Sequence, residues 1–416
     1  MTTDLATLCK AIVDCEHKTA PEGDGFALSV GTRAMKDGHL VLEACKPVSR
    51  STYEEWTRRM KPEPGDLVLA REAPVGQVIR VPEEPLICLG QRTVLVRPDP
   101  MKVHPRFLHY WLLGPSAQSR MAAMAAGATV AHLNVQDIRS LEAVDLPDSR
   151  HLQSVVAELL GALDDLIENN QRRVDLLELM AQAIYQEWFV HLRYPGHQDA
   201  TLIDSLLGQI PDGWEPSTLG EIAPLITRGI SPKYAEDGAW RVVNQRCIRD
   251  GRVSLDLARR HEGSVAPQKV VRSGDVLVNS TGVGTLGRVG VLLEQDDALT
   301  VDSHVTIVRP QNASLQPWFG VQMLQRQTEL EAMGVGSTGQ TELGRQAIGQ
   351  LTVVMPTLVP LNMFADRVWP LVQAVSVLLE QSRILASLRD HLLPRLVTGQ
   401  IDVSSINFDT EVESVA

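Results

Sequence analysis

The sequence predicts a mixed α/β fold: two duplicated domains with small, curved, largely antiparallel sheets, separated by two long antiparallel coiled-coil helices. Three observations predict it. Landmarks of the first half recur in the second at a nearly constant offset. A long amphipathic segment follows each half. Between the landmarks the chain reads as short β-branched runs broken by glycine and proline.

The repeat opens with TLCKAI at 7–12 and TLGEIA at 218–223. A strand-like run led by Gly-Asp follows, from Gly65 in one half and Gly274 in the other. QRTVLVRPDP from Gln91 pairs with SHVTIVRPQN from Ser303, aligning Arg97-Pro98 with Arg309-Pro310. Glycine-led segments begin at Gly127 and Gly336, and an apolar strand ends each half at Pro147 and Pro356. Ordered landmarks that drift by only a few residues mark an internal duplication.

The helical segments come next. From about 150 to 190, Leu152, Val155, Val156, Leu159, Leu163, Leu166, Ile167, Val174, Leu177 and Met180 recur mostly every three or four residues. Glu168 and Arg172 stand at i, i+4 in the favourable order. From about 362 to 393, Val368, Leu371, Val372, Val375, Leu378, Leu379, Leu385, Leu388 and Leu392 do the same, with a stop expected at Pro394. Each stripe needs a partner, and an antiparallel coiled coil buries both; packing each helix on its own domain is the alternative. About 40 residues give a rod of about 60 Å. The domains are therefore placed at 1–149 and 214–358, the helical regions at 150–192 and 359–397, a linker at 193–213 and a tail at 398–416.

Composition narrows the chemistry. The 416 residues are 44% hydrophobic and 22% charged, as expected of a globular protein. Five cysteines form no C-x-x-C pair, which suggests a reducing compartment without a disulfide framework. The charged N-terminus does not read as a signal peptide and no stretch of about 18 apolar residues stands out, so a cytoplasmic location with no membrane span is expected. The net charge of −12 weighs against nucleic-acid binding. Yet 31 of the 39 basic residues are arginine, the side chain suited to guanine and phosphate, although a GC-rich genome would produce the same bias.

Catalytic signatures are missing. Gly282, Gly284 and Gly287 satisfy G-x-G-x-x-G, but RVGVLLE follows as a strand, where a dinucleotide site needs a helix start. No phosphate-binding loop, exocyclic-amine methyltransferase segment or nuclease-like acidic pair is present, and the eleven histidines lack metal-site spacing. Neither catalysis nor a metal is expected on this chain.

LDDLIENNQRRVDLLELMAQAIYQEWFV (163–190) resembles the central conserved region of the specificity subunits of type I restriction–modification enzymes, and LRDHLLPRLVTGQIDV (388–403) their C-terminal conserved region. VLVNSTGVGTLGRVGV, LVLAREAPVGQV and WEPSTLGEIA are similar to segments of their target-recognition domains. The resemblance implies that each domain reads one half of a bipartite site in double-stranded DNA. It implies that the helices fix the unread spacer and dock two methyltransferase subunits, with restriction–translocase subunits outside. S-adenosylmethionine, ATP and Mg would sit on those partners, with none of these cofactors on this chain. A freestanding DNA-binding regulator or decoy specificity protein is the alternative.

On that implication the DNA-contact candidates are the polar loops between strands. In the first half they are His17, Lys18, Arg33, Lys36, Arg71, Gln91, Arg92, Thr129, His132 and Asn134. In the second they are Arg228, Lys233, Asn244, Gln245, Arg246, Arg249, Asn279, Thr281, Arg288, Ser303, His304, Thr338, Gln340 and Thr341. Arginine suits guanine, and asparagine or glutamine suits adenine, which favours Arg71, Arg92, Asn244, Gln245 and Arg246 for base contact. On the helices, Asn169, Arg172, Arg173, Trp188 and Phe189 are candidates for partner docking, with core packing the competing use of the two aromatics.

Overall fold

The computed structural model describes residues 3–125, 131–294, 296–336 and 341–406. The chain divides into two units, one of 1–168 with 382–416, the other of 169–381.

In the first unit the strands are β1 (Cys9–Asp14), β2 (Ala27–Val30), β3 (Met35–Lys36), β4 (His39–Leu40), β5 (Lys46–Val48), β6 (Leu67–Ala70), β7 (Val78–Arg80), β8 (Ile87–Leu89) and β9 (Thr93–Pro98). An antiparallel sheet runs β1-β9-β6-β7, and a second sheet runs β5-β2-β8 with β2 and β8 parallel. Helices α1 (Leu5–Leu8), α2 (Arg50–Trp56), α3 (Pro105–Leu113), α4 (Pro115–Ala125) and α5 (Val135–Arg139) surround them. Period-two alternation sorts the side chains: Leu67, Leu69, Val94 and Val96 face the helical core, while Val68, Ala70 and Leu95 face the other. Burial on both faces explains why these strands read as continuous apolar runs.

The linker is more ordered than its sequence suggests. Strands β10 (Leu202–Ser205) and β11 (Gly208–Pro211) pair as a hairpin inside it, with Leu206 exposed at the tip.

The second unit repeats the first. Beyond β12 (Glu215–Thr218) its strands are β13 (Leu225–Arg228), β14 (Trp240–Val243), β15 (Ile248–Arg249), β16 (Gly251–Val253), β17 (Arg259–His261), β18 (Val276–Asn279), β19 (Val289–Val291), β20 (Leu299–Val301), β21 (Val305–Arg309) and β22 (Thr352–Met355). The order β13-β21-β18-β19 matches β1-β9-β6-β7, and β17-β14-β20 matches β5-β2-β8, again with one parallel pair. The units differ at the small hairpin: β15-β16 joins the main sheet beside β19, whereas β3-β4 stands apart. Short helices α7 (Leu219–Ile222), α8 (Gln316–Gln325), α9 (Gln327–Ala332) and α10 (Arg345–Gly349) complete the unit.

An ion pair joins the same landmarks in both units. Arg97 Nε and Nη2 donate to Asp66 at 2.9 and 2.8 Å, and Arg309 Nε and Nη2 donate to Asp275 at 2.7 and 2.6 Å. The glycine before each aspartate, Gly65 or Gly274, has φ near +87°, a conformation that a side chain would strain.

The long helices are α6 (Arg150–Tyr185), prolonged by one π-turn over Gln186–Val190, and α11 (Leu358–Val397). The first part of α6 and the end of α11 pack into the first unit: Val155, Val156 and Leu160 share a core with Leu396 and Val397, and Arg389 donates to Asp164 at 2.9 Å. In the second unit Val174 of α6 meets Val375 and Leu378, and farther along Tyr185 and Trp188 meet Phe364, so the two helices run antiparallel there. The stripes thus face both each other and the domains. α11 does not stop at Pro394 but runs to Val397, because Leu396 and Val397 are 3% and 2% exposed in the first core. Burying two such side chains, at about 1.5–3 kcal/mol each, offsets the cost of proline. By length and hydropathy alone α11 is apolar enough to cross a membrane; seven of its side chains, Phe364 and Val368 among them, are buried in this chain's own cores.

His109 on α3 gives the first unit a pH dependence that the second lacks at its matching position, Val321. The imidazole is 3% exposed, and burial, helped by the charge of Arg80, pushes its pKa down to about 4. Its folded value lies below the unfolded value of about 6.5, so the ring is held neutral. The corresponding stability is present above pH ~6.5 and lost as pH falls toward 4, by up to about 3 kcal/mol. Replacing His109 with Val is expected to flatten this unit's loss of melting temperature between pH 7 and pH 5. A variant that keeps the full drop would assign it to other groups.

Candidate nucleic-acid interface

Antiparallel pairing brings three chain segments to one end of each main sheet. In the first unit these are the end of β1 at Asp14, the end of β6 at Ala70 and the start of β9 at Thr93, with Asp14 opposite Val94 and Ala70 opposite Thr93. A fourth segment is stitched alongside: Arg71 N donates to Arg92 O at 2.8 Å, and Leu133 N donates to Arg71 O at 3.1 Å. The second unit uses the same bonds, Ser280 N to His304 O and Leu343 N to Ser280 O, both 2.8 Å.

On this end the first unit carries a charged network. Asp14 accepts from Arg71 Nη1 at 2.8 Å and lies 2.9 Å from His17 Nε2. Glu72 holds His132 Nδ1 at 2.7 Å and Arg92 Nε at 3.2 Å. Arg71 is a strut rather than a free reader: it is 6% exposed, and its guanidinium also reaches Leu133 O and His132 Nε2. That burial corrects its assignment to base contact. Arg92 is exposed, as are His17, Lys18, Gln91, Asn134, Arg33 and Lys36, while His132 is half-buried. Asp14, Cys15 and His17 bring ligand atoms within 4.8 Å of one another, but Arg71 already neutralises the carboxylate, which disfavours a cation there.

The second unit carries a different set of polar groups, with Arg228 in the place of Asp14 and Thr281 in the place of Glu72. Thr281 Oγ1 accepts from Gln245 Nε2 at 2.5 Å and pairs with His304 Nδ1 at 2.8 Å. Arg228 donates to Leu343 O and pairs with Glu342 at 2.8 Å. Asn279 is fully buried, its Nδ2 on Gln245 O, so it too is corrected from reader to support. Asn244 caps the turn at Gln245–Cys247 by accepting from Arg246 N and donating to Leu257 O. Arg246, Arg249, Lys233 and His304 are exposed; Arg288, Ser303 and Thr341 are half-buried. Thr129, Thr338 and Gln340 lie outside the described residues. Gly282, Gly284 and Gly287 form turns with positive φ that lead into β19, a strand as expected.

Of the helix candidates, Asn169, Arg172 and Arg173 are exposed. Trp188 is 8% exposed and Phe189 half-buried in an aromatic cluster with Tyr185, Trp214, Trp318 and Phe364, so both serve this chain's own core. A cavity of 320 Å³ lies away from the sheet ends, among Leu177, Ala181, Leu324, Trp369 and Val375, where Gly320 stands in the position of Leu108.

A search for donors to DNA passed over the acids Asp14 and Glu72, which organise the first site. It also passed over a further repeated landmark, TRAMKDGH at 32–39 against QRCIRDGR at 245–252, whose shared Asp-Gly was the available signal.

No family model matches the chain. It is 23% identical over 376 residues to the type I restriction enzyme MjaIX specificity subunit of Methanocaldococcus jannaschii, covering 86% of this chain and 82% of that protein. The similarity to a type I restriction enzyme specificity subunit thus runs over most of both chains. Its fold is that of the type I restriction–modification S subunit from M. genitalium, with a TM-score of 0.56 and 16% identity over 95% of both chains. The HsdS subunit from Thermoanaerobacter tengcongensis is also similar, with a TM-score of 0.32 and 17% identity over 96% of this chain and 97% of that one. Like the S subunit from M. genitalium, the protein is a mixed α/β chain with two small-sheet domains and long helices.

Proposed function

We propose that the chain is the DNA-reading, non-catalytic subunit of a cytoplasmic type I restriction–modification complex that serves in phage defence. Each unit reads one half of a bipartite duplex site with the loops at the end of its main sheet. The long helices fix the unread interval and dock two methyltransferase subunits, with restriction–translocase subunits joining outside. Adenine methylation and ATP-dependent restriction then belong to the partners, which hold S-adenosylmethionine, ATP and Mg.

The observation that carries this reading is the duplicated sheet end. Two units of the same topology present the same four segments but different polar groups, as two readers of unlike half-sites would. The net charge of −12 is compatible because exposed cations, Arg92 and Arg246 among them, lie on or beside these ends. Partner subunits that line the rest of the duplex would supply further positive charge.

Co-expression with a methyltransferase subunit from the same genome, followed by mapping of methylated adenines, tests the proposal. The expected result is a two-part asymmetric motif that disappears when this chain is omitted. A single continuous motif, or methylation independent of the chain, would count decisively against it.

A further inference from the structure

The two units form an internal comparison. If they read different half-sites, as proposed above, their base-reading positions must differ, while the phosphodiester backbone is the same for both. A position that keeps its chemistry on a shared backbone therefore points to phosphate, and one that changes chemistry points to bases.

The hairpins at 32–40 and 245–253 are built alike. Ala34 N donates to Gly31 O and Cys247 N to Asn244 O, at 3.0 and 2.9 Å; Val41 N to Ala34 O and Ser254 N to Cys247 O follow, both 2.8 Å. Asp37-Gly38 and Asp250-Gly251 turn through the same left-handed pair of φ values, 50° and 86° against 52° and 76°. On this frame Arg33 matches Arg246 and Lys36 matches Arg249. All four are exposed, and no side-chain partner holds any of them among the described residues. In the second unit the turn at Gln245–Cys247 adjoins the sheet end: Gln245, beside Arg246, donates to Thr281 O at 2.9 Å. His39 and Arg252, the next matched pair, are instead tied to the long helices, His39 to Arg389 at 2.7 Å and Arg252 to Glu178 at 2.6 Å. The hairpin is thereby held at both ends.

The loop positions behave in the opposite way. Glu72 becomes Thr281, Gln91 becomes Ser303 and Arg92 becomes His304, while the backbone bonds around them persist.

We infer that Arg33 with Lys36, and Arg246 with Arg249, are matched phosphate clamps, and that base choice falls to the positions that change, led by Gln91 and Arg92 in one unit and Ser303 and His304 in the other. Arg246 is thus moved from guanine reader to backbone holder.

The test uses the full chain assembled with its methyltransferase subunit. Affinity is measured for a duplex carrying the mapped site and for an unrelated duplex, across a salt series. Arg33→Ala with Lys36→Ala, and separately Arg246→Ala with Arg249→Ala, should weaken both duplexes by the same factor. Each pair should flatten the log–log salt slope by about 1.8, at about 0.9 per lost phosphate contact. Arg246→Lys should leave slope and preference unchanged, since lysine still meets phosphate but loses the bidentate grip on guanine. Arg92→Ala and His304→Ala should each relax one base position. A change of base preference in the Arg246 variants, or slopes that stay at the wild-type value, overturns the inference and leaves the proposed function standing. A wild-type complex that shows no preference for a two-part site overturns both.

Discussion

Replacing Arg309 with Ala is expected to lower the unfolding free energy of the second unit by about 3–5 kcal/mol, the range for breaking a buried ion pair from one side. Asp275 is fully buried and accepts two bonds from the guanidinium and one from Arg272 N at 2.7 Å. Arg309 also donates to Val270 O at 2.7 Å. Truncation would leave a desolvated carboxylate with a single backbone donor and free a carbonyl, whereas arginine satisfies both through one planar fork. Lysine at the same position should recover only part of the loss. Arg97→Ala should cost somewhat less, because Asp66 is 4% exposed where Asp275 is fully buried. Denaturant unfolding of the full chain measures both. A cost below about 1 kcal/mol for Arg309→Ala would show that the pair does not hold the strands together.

Adding one helical turn to both long helices is expected to change the DNA target without changing the bases read. Four residues inserted next to Asn170 in α6, and four after Gln381 in α11, fall where both helices pass between the units. The matched insertion keeps each helix aligned with the other inside either unit. A single insertion would shift Val174 out of register with Val375 and Leu378. One turn adds about 6 Å, close to two base pairs of unread spacer at about 3.4 Å each. Methylation mapping of the lengthened chain should return both half-sites intact and a spacer about two base pairs longer. Altered half-site bases, or an unchanged spacer, would rule out the helices as the measure of that interval.

The fold was largely legible in the sequence because its signals were local and doubled. Gly-Asp and Arg-Pro were visible as landmarks at Gly65 and Gly274 and at Arg97 and Arg309. That the aspartate of one landmark pairs with the arginine of the other is a tertiary fact that no spacing encodes. The helix stripes were legible through their period, but the extent of α11 beyond Pro394 was not. Local propensity marks a stop there, and burial in a distant core overrides it. The site was less legible. Arg71 and Arg246 look alike as arginines in polar loops, yet one is 6% exposed and the other projects from a turn. Asp14 and Glu72 gave no signal because what they do is hold neighbouring side chains, Arg71 and His17 for one and His132 and Arg92 for the other.

The first unit is assembled from two separated stretches of the chain, the second from one unbroken stretch. Leu396, Val397 and Val403, which follow the whole second unit along the chain, fill the core around Leu108 and Leu160. Ribosomal emergence therefore sets an order: the interior half can close early, while the leading half waits for the trailing segment. Cleavage of the chain after Gln381 would consequently injure the first unit before the second.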